Sequence, residues 1–238
     1  MNAKRPGGAR SGGGPRPGAR SAAVKLKSKK KRKPSSQRWL ERQLNDPYVE
    51  AARAEGYRSR AAYKLAELDD RFRILKPGQA VIDLGAAPGG WTQVIVARTR
   101  APGAGAKVVA LDILDIDPVP GAEILKLDFM ADEAPERLRA ALGRAADVVV
   151  SDMAPATTGH AQTDHLRIVA LVEAAYEFAR EVLAPGGAFV AKVFQGGTES
   201  TLLKRMKADF TEVKHAKPPA SRAQSAEVYV IATGFRAI

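Results

Sequence analysis

The sequence predicts an α/β fold with a mostly parallel, seven-stranded sheet and helices on both faces. Five short segments rich in β-branched and apolar residues alternate with segments whose apolar residues have helical spacing. Because these strand-like segments are apolar almost throughout, they are typical of parallel strands that are buried on both faces. Two further strand-like segments close the chain with no helix between them, which indicates an antiparallel arrangement at that end of the sheet.

The predicted elements follow one another in a regular order. Two helices precede the sheet, at 39–56 and 59–74, and Ser59 is placed as the N-cap of the second. Further helices are predicted at 92–100, 135–143 and 166–184. The predicted strands cover 80–85, 107–114, 123–129, 146–152, 187–194, 210–218 and 226–235.

The net charge of +12 is concentrated at the N-terminus. Residues 1–38 contain 13 Lys and Arg and no Asp or Glu, whereas the remaining residues carry 25 basic and 26 acidic side chains. Residues 1–36 combine cations with Gly, Pro and Ser, a composition that cannot recover the entropy cost of ordering. We therefore expect a disordered basic arm over 1–36 that associates with RNA, and a single domain over 37–238. A solubilising or targeting tail is the alternative interpretation.

Three absences argue against several function classes. The chain has no cysteine, so a disulfide framework, a thiolate metal site and a thiol nucleophile are excluded. The three histidines show no metal-ligand spacing, and we expect no metal site. No apolar segment approaches the roughly 20 residues that cross a bilayer, so we expect no membrane partner.

The segment VIDLGAAPGGW, residues 81–91, ends the first predicted strand in a glycine-rich corner. Its glycine spacing differs from the G-x-G-x-x-G of dinucleotide sites and from the P-loop, and no Lys follows the glycines. Pro88 also removes a backbone N–H where an anion cradle needs donors. The corner is therefore predicted to hold a ligand that does not present phosphates.

Four acidic residues lie at or near the ends of the first four predicted strands: Asp83, Asp112, Asp128 and Asp152. In an open α/β sheet, ligands bind at the carboxyl ends of the strands. Carboxylates there favour a cationic ligand or one with hydroxyl and amino donors. S-adenosylmethionine offers a sulfonium, an ammonium, ribose hydroxyls and an adenine amino group, and Asp112 has the spacing of a ribose-binding acid. Alternatively, Asp83 and Asp112 only cap loops or helices.

Five segments in one order give the chain a resemblance to a known family. They are YRSRAAYKL (57–65), DLGAAPGGW (83–91), SDMAP (151–155), LAPGGAFVAKVFQG (183–196) and SRAQSAEVYVIATG (221–234). Over residues 37–235 the chain closely resembles the FtsJ-like ribosomal RNA uridine 2'-O-methyltransferases, also known as RlmE. The resemblance implies a Rossmann-like class I methyltransferase fold that uses S-adenosylmethionine. It also implies a cytoplasmic monomer whose partner is large-subunit ribosomal RNA or the 50S subunit.

The resemblance further implies site residues. The family's Lys-Asp-Lys-Glu tetrad falls on Lys64, Asp152, Lys192 and Glu227. Its cofactor contacts fall on Gly89, Trp91, Asp112, Asp128 and Asp152, although an aromatic at position 91 is more often a packing residue. One departure is Ala156, where relatives usually have Asn. This departure leaves the tetrad intact and weakens any contact assigned to the loop that follows SDMAP.

The tetrad makes chemical sense for a ribose target. A 2'-hydroxyl is a weak acid, so its attack on a sulfonium methyl needs proton removal and close positioning. Lys192 interrupts an apolar strand, where an ammonium must be paired or neutral. We therefore interpret Lys192 as the base and Lys64 as its electrostatic partner, with Asp152 and Glu227 orienting the amines. The alternative is two structural ion pairs, Lys64 with Glu227 and Lys192 with Asp152.

Other functions stay open at this point. The missing cysteine argues against C5-pyrimidine methylation, and SDMAP lacks the Pro-Pro-aromatic sequence of adenine amino methylases. A tRNA ribose methylase and a ribosome-assembly factor without turnover are the alternatives, and a nicotinamide-dependent oxidoreductase is disfavoured by Pro88. Four cations near the tetrad segments are candidates for RNA phosphate contacts: Arg58, Arg60, Lys217 and Arg222.

Overall fold

The computed structural model describes residues 44–155, 159–194 and 200–237. Its strands are β1 (Ala80–Leu84), β2 (Lys107–Asp112), β3 (Glu123–Lys126), β4 (Ala146–Ser151), β5 (Leu183–Phe194), β6 (Phe210–Ala216) and β7 (Glu227–Phe235). They form one seven-stranded sheet in the order β3-β2-β1-β4-β5-β7-β6. The first five strands pair in parallel, and β7 is antiparallel to both β5 and β6. The predicted fold class is therefore confirmed.

The described helices are α1 (Pro47–Ala54), α2 (Ala61–Phe72), α3 (Gly90–Thr99), α4 (Ala134–Leu142), α5 (Ala161–Val182) and α6 (Ser200–Asp209). The helix predicted over 39–56 is interrupted at Pro47, because proline lacks the backbone N–H that a helix interior requires. Asp46 caps α1 by accepting a 3.1 Å hydrogen bond from the Tyr48 amide. The predicted arm over 1–36 lies outside the described residues.

Each face of the sheet packs against its own helices. Apolar residues of α2 and α3 cover one face, where Leu65 and Ile95 are fully buried. Helices α4, α5 and α6 cover the other face, with Leu138 and Met206 fully buried. Because side chains alternate along a strand, neighbouring residues of β5 contribute to opposite layers. This alternation explains why the central strands are apolar throughout.

One prediction about a helix cap was wrong, and one helix was missed. Ser59 is not a side-chain cap of α2: the helix begins after Arg60, and within the described residues the Ser59 hydroxyl has no hydrogen-bond partner. The Ser59 carbonyl instead accepts from the Ala62 amide, while its hydroxyl packs against Gly90 at the start of α3. Helix α6 was not predicted at all, because it contributes only Leu202 and Met206 to the core cluster.

The strand order reverses between β1 and β4, and this point of the sheet positions the site. To one side of β1 the order runs outward to β2 and β3, and to the other side it runs through β4 to β5. Connections leaving the carboxyl ends of β1 and β4 therefore diverge to opposite directions and open a crevice. The glycine corner and Asp152 follow these two strands directly.

Candidate active site

A cleft of about 910 Å³ opens at the carboxyl ends of the central parallel strands. We call it the larger cleft; its lining includes Gly85, Asp112, Leu114, Asp128, Met130 and Asp152. Gly85 lets the two central strand ends approach each other closely. Its φ is +76°, and a Cβ at this position would lie 2.7 Å from the Met153 backbone nitrogen. A side chain at position 85 would therefore be strained and would displace the segment that carries Asp152.

Three of the predicted cofactor acids, Asp112, Asp128 and Asp152, line the larger cleft, and backbone amides fix the first two. Asp112 accepts hydrogen bonds from the amides of Ala87 and Leu114, one at each carboxylate oxygen, both at 2.9 Å. Asp128 accepts one from the Met130 amide, also at 2.9 Å. A carboxylate oxygen has two acceptor positions, so Asp112 caps the loop and still has capacity to accept ligand hydroxyls.

Asp83 has a different environment from the other three acids. It is fully buried, and its Oδ2 accepts a 2.7 Å hydrogen bond from the Thr92 hydroxyl of α3. Burial raises the pKa of Asp83 to about 7, and the nearby charges of Asp152 and Asp112 add to this effect. Asp83 does not line the larger cleft. It instead holds the first turn of α3 through its hydrogen bond from Thr92.

The four tetrad residues come together as two ion pairs. The Nζ atom of Lys64 lies 2.8 Å from Oε1 of Glu227, and that of Lys192 lies 3.2 Å from Oδ1 of Asp152. Lys192 also donates a 2.6 Å hydrogen bond to the backbone carbonyl of Asp152. Lys192 is only 8% exposed, so its ammonium depends on these oxygens for solvation. The two ion pairs that the sequence offered as a purely structural alternative are therefore present, and they lie together in one cluster.

Glu227 is held in its ionised form. Burial acts to raise its pKa, but the ion pair with Lys64, a hydrogen bond from the Ser221 hydroxyl and the charge of Lys192 outweigh burial, so the pKa of Glu227 is lowered. The Ser221 hydroxyl lies 2.7 Å from Oε1 of Glu227. Since Lys192 also acts on this carboxylate, the two ion pairs form one electrostatic unit.

Tyr229 joins the two pairs and was missed by the sequence reasoning. Its hydroxyl donates a 2.8 Å hydrogen bond to Oδ1 of Asp152, and its ring centroid lies 5.9 Å from Nζ of Lys64. The side chain is fully buried, and burial raises its pKa well above 10. The signal was available, because Tyr229 follows Glu227 by two residues in a strand and therefore points to the same face.

A second, smaller cleft of about 460 Å³ adjoins the other end of the tetrad. We call it the basic cleft; its lining includes Ser59, Arg60, Lys64, Pro88, Arg222 and Glu227. Asp46 forms ion pairs with both Arg60 and Arg222, the second at 3.4 Å, and its side chain is only 9% exposed. The buried acid therefore fixes two guanidinium groups at the cleft wall.

The remaining predicted cofactor residues lie away from the larger cleft. Trp91 is 3% exposed, donates from Nε1 to the Ala61 carbonyl at 2.8 Å, and packs 5.6 Å from the Tyr229 ring. Gly89, the N-cap of α3, has a φ of +106° and lies against the side chain of Arg58. Neither residue lines the larger cleft, so their assignment as cofactor contacts stays a prediction. Such contacts would have to be made by the backbone atoms of these two residues.

The described residues contain neither a grouped set of metal ligands nor a membrane-spanning helix. Within 44–155, 159–194 and 200–237, no three acidic or histidine side chains are grouped so that they could hold a metal ion. Over the same residues, no helix has the length and apolar character needed to span a membrane.

The larger cleft suits the chemical groups of S-adenosylmethionine. Its carboxylates at positions 112, 128 and 152 repel phosphates and accept hydrogen bonds from hydroxyl, amino and ammonium groups. Leu114 and Met130, 61% and 56% exposed, offer apolar surface to a planar base at the same cleft. The volume falls within the range of small-molecule sites.

Comparisons with known proteins agree with this geometry. The model of the FtsJ-like methyltransferase family matches residues 57–235. A protein named ribosomal RNA large subunit methyltransferase E from Paramagnetospirillum magneticum is 63% identical over 235 residues, which cover 98% of this chain and 96% of the relative. A protein of the same name from Parvibaculum lavamentivorans is 59% identical over 236 residues, covering 96% and 93%.

A solved structure supports the same relationship. A crystal structure described as that of a ribosomal RNA methyltransferase from Plasmodium falciparum superposes with a TM-score of 0.67 at 30% identity. It covers 75% of this chain and 98% of that protein. The matched segment contains both clefts and all four tetrad positions. The chain therefore belongs to the FtsJ-like methyltransferase family.

Proposed function

We propose that this protein transfers a methyl group from S-adenosylmethionine to the ribose 2'-oxygen of a uridine in large-subunit ribosomal RNA, at the assembled or assembling 50S subunit. We further propose that it acts as a cytoplasmic monomer. The observation that carries the proposal is the position of the tetrad, which separates a cleft lined by carboxylates from a cleft lined by guanidinium groups.

The two clefts have complementary chemistry and share no lining residue. Asp152 lines the larger cleft, while Lys64 and Glu227 line the basic cleft. Lys192 contacts Asp152 and acts electrostatically on Glu227, so it connects the two sides. A donor held in one cleft and an acceptor nucleotide held in the other would therefore meet at the tetrad.

Each tetrad residue has a distinct role in this proposal. When bound, S-adenosylmethionine supplies an electrophilic methyl group on a sulfonium. Lys192 acts as the neutral amine, after its own proton has been lost to solvent, and takes the proton of the 2'-hydroxyl, while Lys64 stabilises negative charge on the reacting oxygen. Asp152 and Glu227 hold the two amines at fixed positions through the observed 3.2 and 2.8 Å contacts.

The basic cleft is the proposed site for the RNA. Asp46 fixes Arg60 and Arg222 at the cleft wall. Both terminal nitrogens of Arg60 are engaged, by Asp46 and by the Ala220 carbonyl, so Arg222 is the guanidinium that has donors left for a phosphate. Lys217, by contrast, donates to the carbonyls of Ala223 and Ser225, which holds the loop before β7. The basic arm adds affinity for RNA that does not depend on sequence.

The proposal is tested with labelled S-adenosylmethionine and large subunits from a methylation-deficient strain, followed by mapping of the labelled nucleotide. The wild-type protein should label a ribose 2'-oxygen of one uridine. Lys192→Ala should abolish transfer in single turnover. Lys192→Arg is the matched control, since it keeps the charge but an arginine does not release its proton in proteins.

Three outcomes would contradict parts of the proposal. Transfer by Lys192→Arg at the wild-type rate would exclude Lys192 as the base. Label on a base, or on tRNA added in parallel, would exclude the proposed target. Binding to large subunits without transfer by the wild-type protein would favour an assembly factor.

A further inference from the structure

The guanidinium of Arg58 joins two segments that border the larger cleft. Its Nη1 donates to the carbonyls of Pro88 at 3.2 Å and Asp117 at 2.6 Å, and its Nη2 donates to that of Pro118 at 2.7 Å. Pro88 belongs to the glycine corner, whereas Asp117 and Pro118 belong to the connection between β2 and β3. One planar group thus fixes the distance between two separate loops.

The loop after β2 depends on such contacts for its position. Residues 113–119 form neither helix nor strand, although Ile113 and Leu114 line the larger cleft. At its beginning this loop is tied through Asp112, which accepts from both Leu114 and Ala87. Arg58 provides the corresponding tie three to four residues later.

The backbone around Arg58 is itself anchored to the first turn of α3, directly after the glycine corner. The Arg58 amide donates to Oε1 of Gln93 at 2.9 Å, and Nε2 of Gln93 donates to the Gly56 carbonyl at 2.9 Å. Gly89 leaves the space that the Arg58 side chain occupies, because a Cβ there would lie 2.8 Å from Nη1 of Arg58 and 3.3 Å from Val119. The φ of +106° already favours glycine at position 89, and the Arg58 side chain fills the space that this glycine leaves.

We propose that Arg58 is a positioning residue for the cofactor cleft, and not the RNA phosphate contact that its charge and position suggested. The inference rests on the proposed cofactor. All three observed acceptors of the Arg58 guanidinium are backbone carbonyls of the two segments that carry Ala87 and Leu114 into the lining of the larger cleft, while Pro88 itself lines the basic cleft. The fork geometry of the guanidinium is therefore engaged within the protein. Loss of this fork leaves Leu114 tied to the glycine corner through Asp112 but releases residues 117–118, so cofactor binding must pay the ordering cost of that part of the loop.

A lysine does not replace this function. Its ammonium is a point charge on a flexible stem and lacks the planar fork that reaches three carbonyls on two loops. Arg58→Lys therefore distinguishes the effect of the guanidinium's shape from the effect of its positive charge. It retains the positive charge for RNA and removes the bridge between the loops.

The test measures two quantities on each variant: the Kd of S-adenosylhomocysteine by calorimetry without RNA, and the salt dependence of binding to large-subunit RNA. We expect Arg58→Lys to weaken S-adenosylhomocysteine about tenfold, because charge-assisted hydrogen bonds are lost. Its salt slope for RNA should stay at the wild-type value. Arg222→Ala should show the opposite pattern, an unchanged Kd and a slope reduced by about one.

Arg144→Lys is the matched control, since Arg144 also donates to a backbone carbonyl, that of Gly78, at a position remote from both clefts. It should change neither quantity. A wild-type Kd for Arg58→Lys, with or without a reduced salt slope, overturns the inference. Failure of the wild-type protein to bind S-adenosylhomocysteine would instead contradict the proposed cofactor.

Hydrogen exchange keeps the inference testable if the Arg58 variants do not fold. In the wild-type protein, the backbone amides of the non-proline residues in 86–89 and 114–119 should gain protection together when S-adenosylhomocysteine binds. Protection of one segment without the other would show that the loops move independently and would overturn the inference.

Discussion

The Tyr229 hydroxyl donates a 2.8 Å hydrogen bond to Oδ1 of Asp152, the same oxygen that lies 3.2 Å from Nζ of Lys192. Tyr229 and Lys192 are directly opposite each other in the antiparallel pairing of β5 with β7. The tyrosine therefore fixes the carboxylate that in turn fixes the lysine. No solvent reaches this hydroxyl, because Tyr229 is fully buried.

Replacing Tyr229 with Phe should slow single-turnover methyl transfer by about tenfold without weakening S-adenosylhomocysteine. The ring packing stays, so the free energy of unfolding should fall by only about 1 kcal/mol, the typical contribution of one hydrogen bond. Rapid-quench kinetics and denaturant unfolding measure the two effects. An unchanged transfer rate would show that Asp152 needs no support from Tyr229.

The ion pair between Lys64 and Glu227 should stabilise the fold in a pH-dependent manner. The pKa of Glu227 is lowered on folding, so its contribution is present above the ordinary value of 4.5 and is lost as the pH falls through the lowered value. The stability advantage of the wild-type protein over Glu227→Gln should be constant from pH 6 to pH 8, because Glu227 is ionised there in both the folded and the unfolded chain. It should shrink below about pH 4.5. Urea titrations across this range measure it, with Glu181→Gln as an exposed control.

Asp83 should have the opposite pH dependence. Its folded pKa of about 7 lies above the unfolded value of 3.8, so deprotonation in the folded state costs stability as the pH rises. Asp83→Asn removes this titration. Between pH 5 and pH 8 its stability relative to wild type should therefore improve by roughly 2–3 kcal/mol. A difference that does not vary with pH would show that Asp83 stays ionised throughout.

Removal of residues 1–36 should weaken RNA binding and reduce its dependence on salt. Those residues hold 12 of the 38 basic side chains and no acidic ones, and each neutralised phosphate contributes to the salt slope. Cofactor affinity should change much less, because the larger cleft is lined by residues 85–171. Filter binding at several salt concentrations tests this, and equal slopes for the two proteins would contradict it.

The sequence predicted the strands and their order along the chain well, and the side-chain contacts less well. Alternation of apolar strands with helices identified all seven strands, since strands buried on both faces leave a strong composition signal. Strand ends were extended too far at positions 113–114 and 127–129, because Ile113 and Leu114 are apolar but line a cleft. The tetrad residues lie 163 positions apart along the chain, so only a family resemblance joined them.

The roles of individual cations were the least predictable part. Arg58 and Arg60 are separated by one residue, yet one donates to loop carbonyls and the other pairs with Asp46. The two residues have the same charge and nearly the same position in the sequence. Only the hydrogen-bond acceptors that the fold places beside each guanidinium distinguish them. Tyr229 was missed for a related reason, since a tyrosine in an apolar strand is usually a packing residue.

The pairing of β5 with β7 has a consequence for how the protein tolerates insertions and deletions. Lys192 opposes Tyr229 and Phe194 opposes Glu227, so a one-residue slip of β7 would turn both functional side chains to the opposite layer. Length changes within 227–235 should therefore be lethal to activity even where the protein still folds.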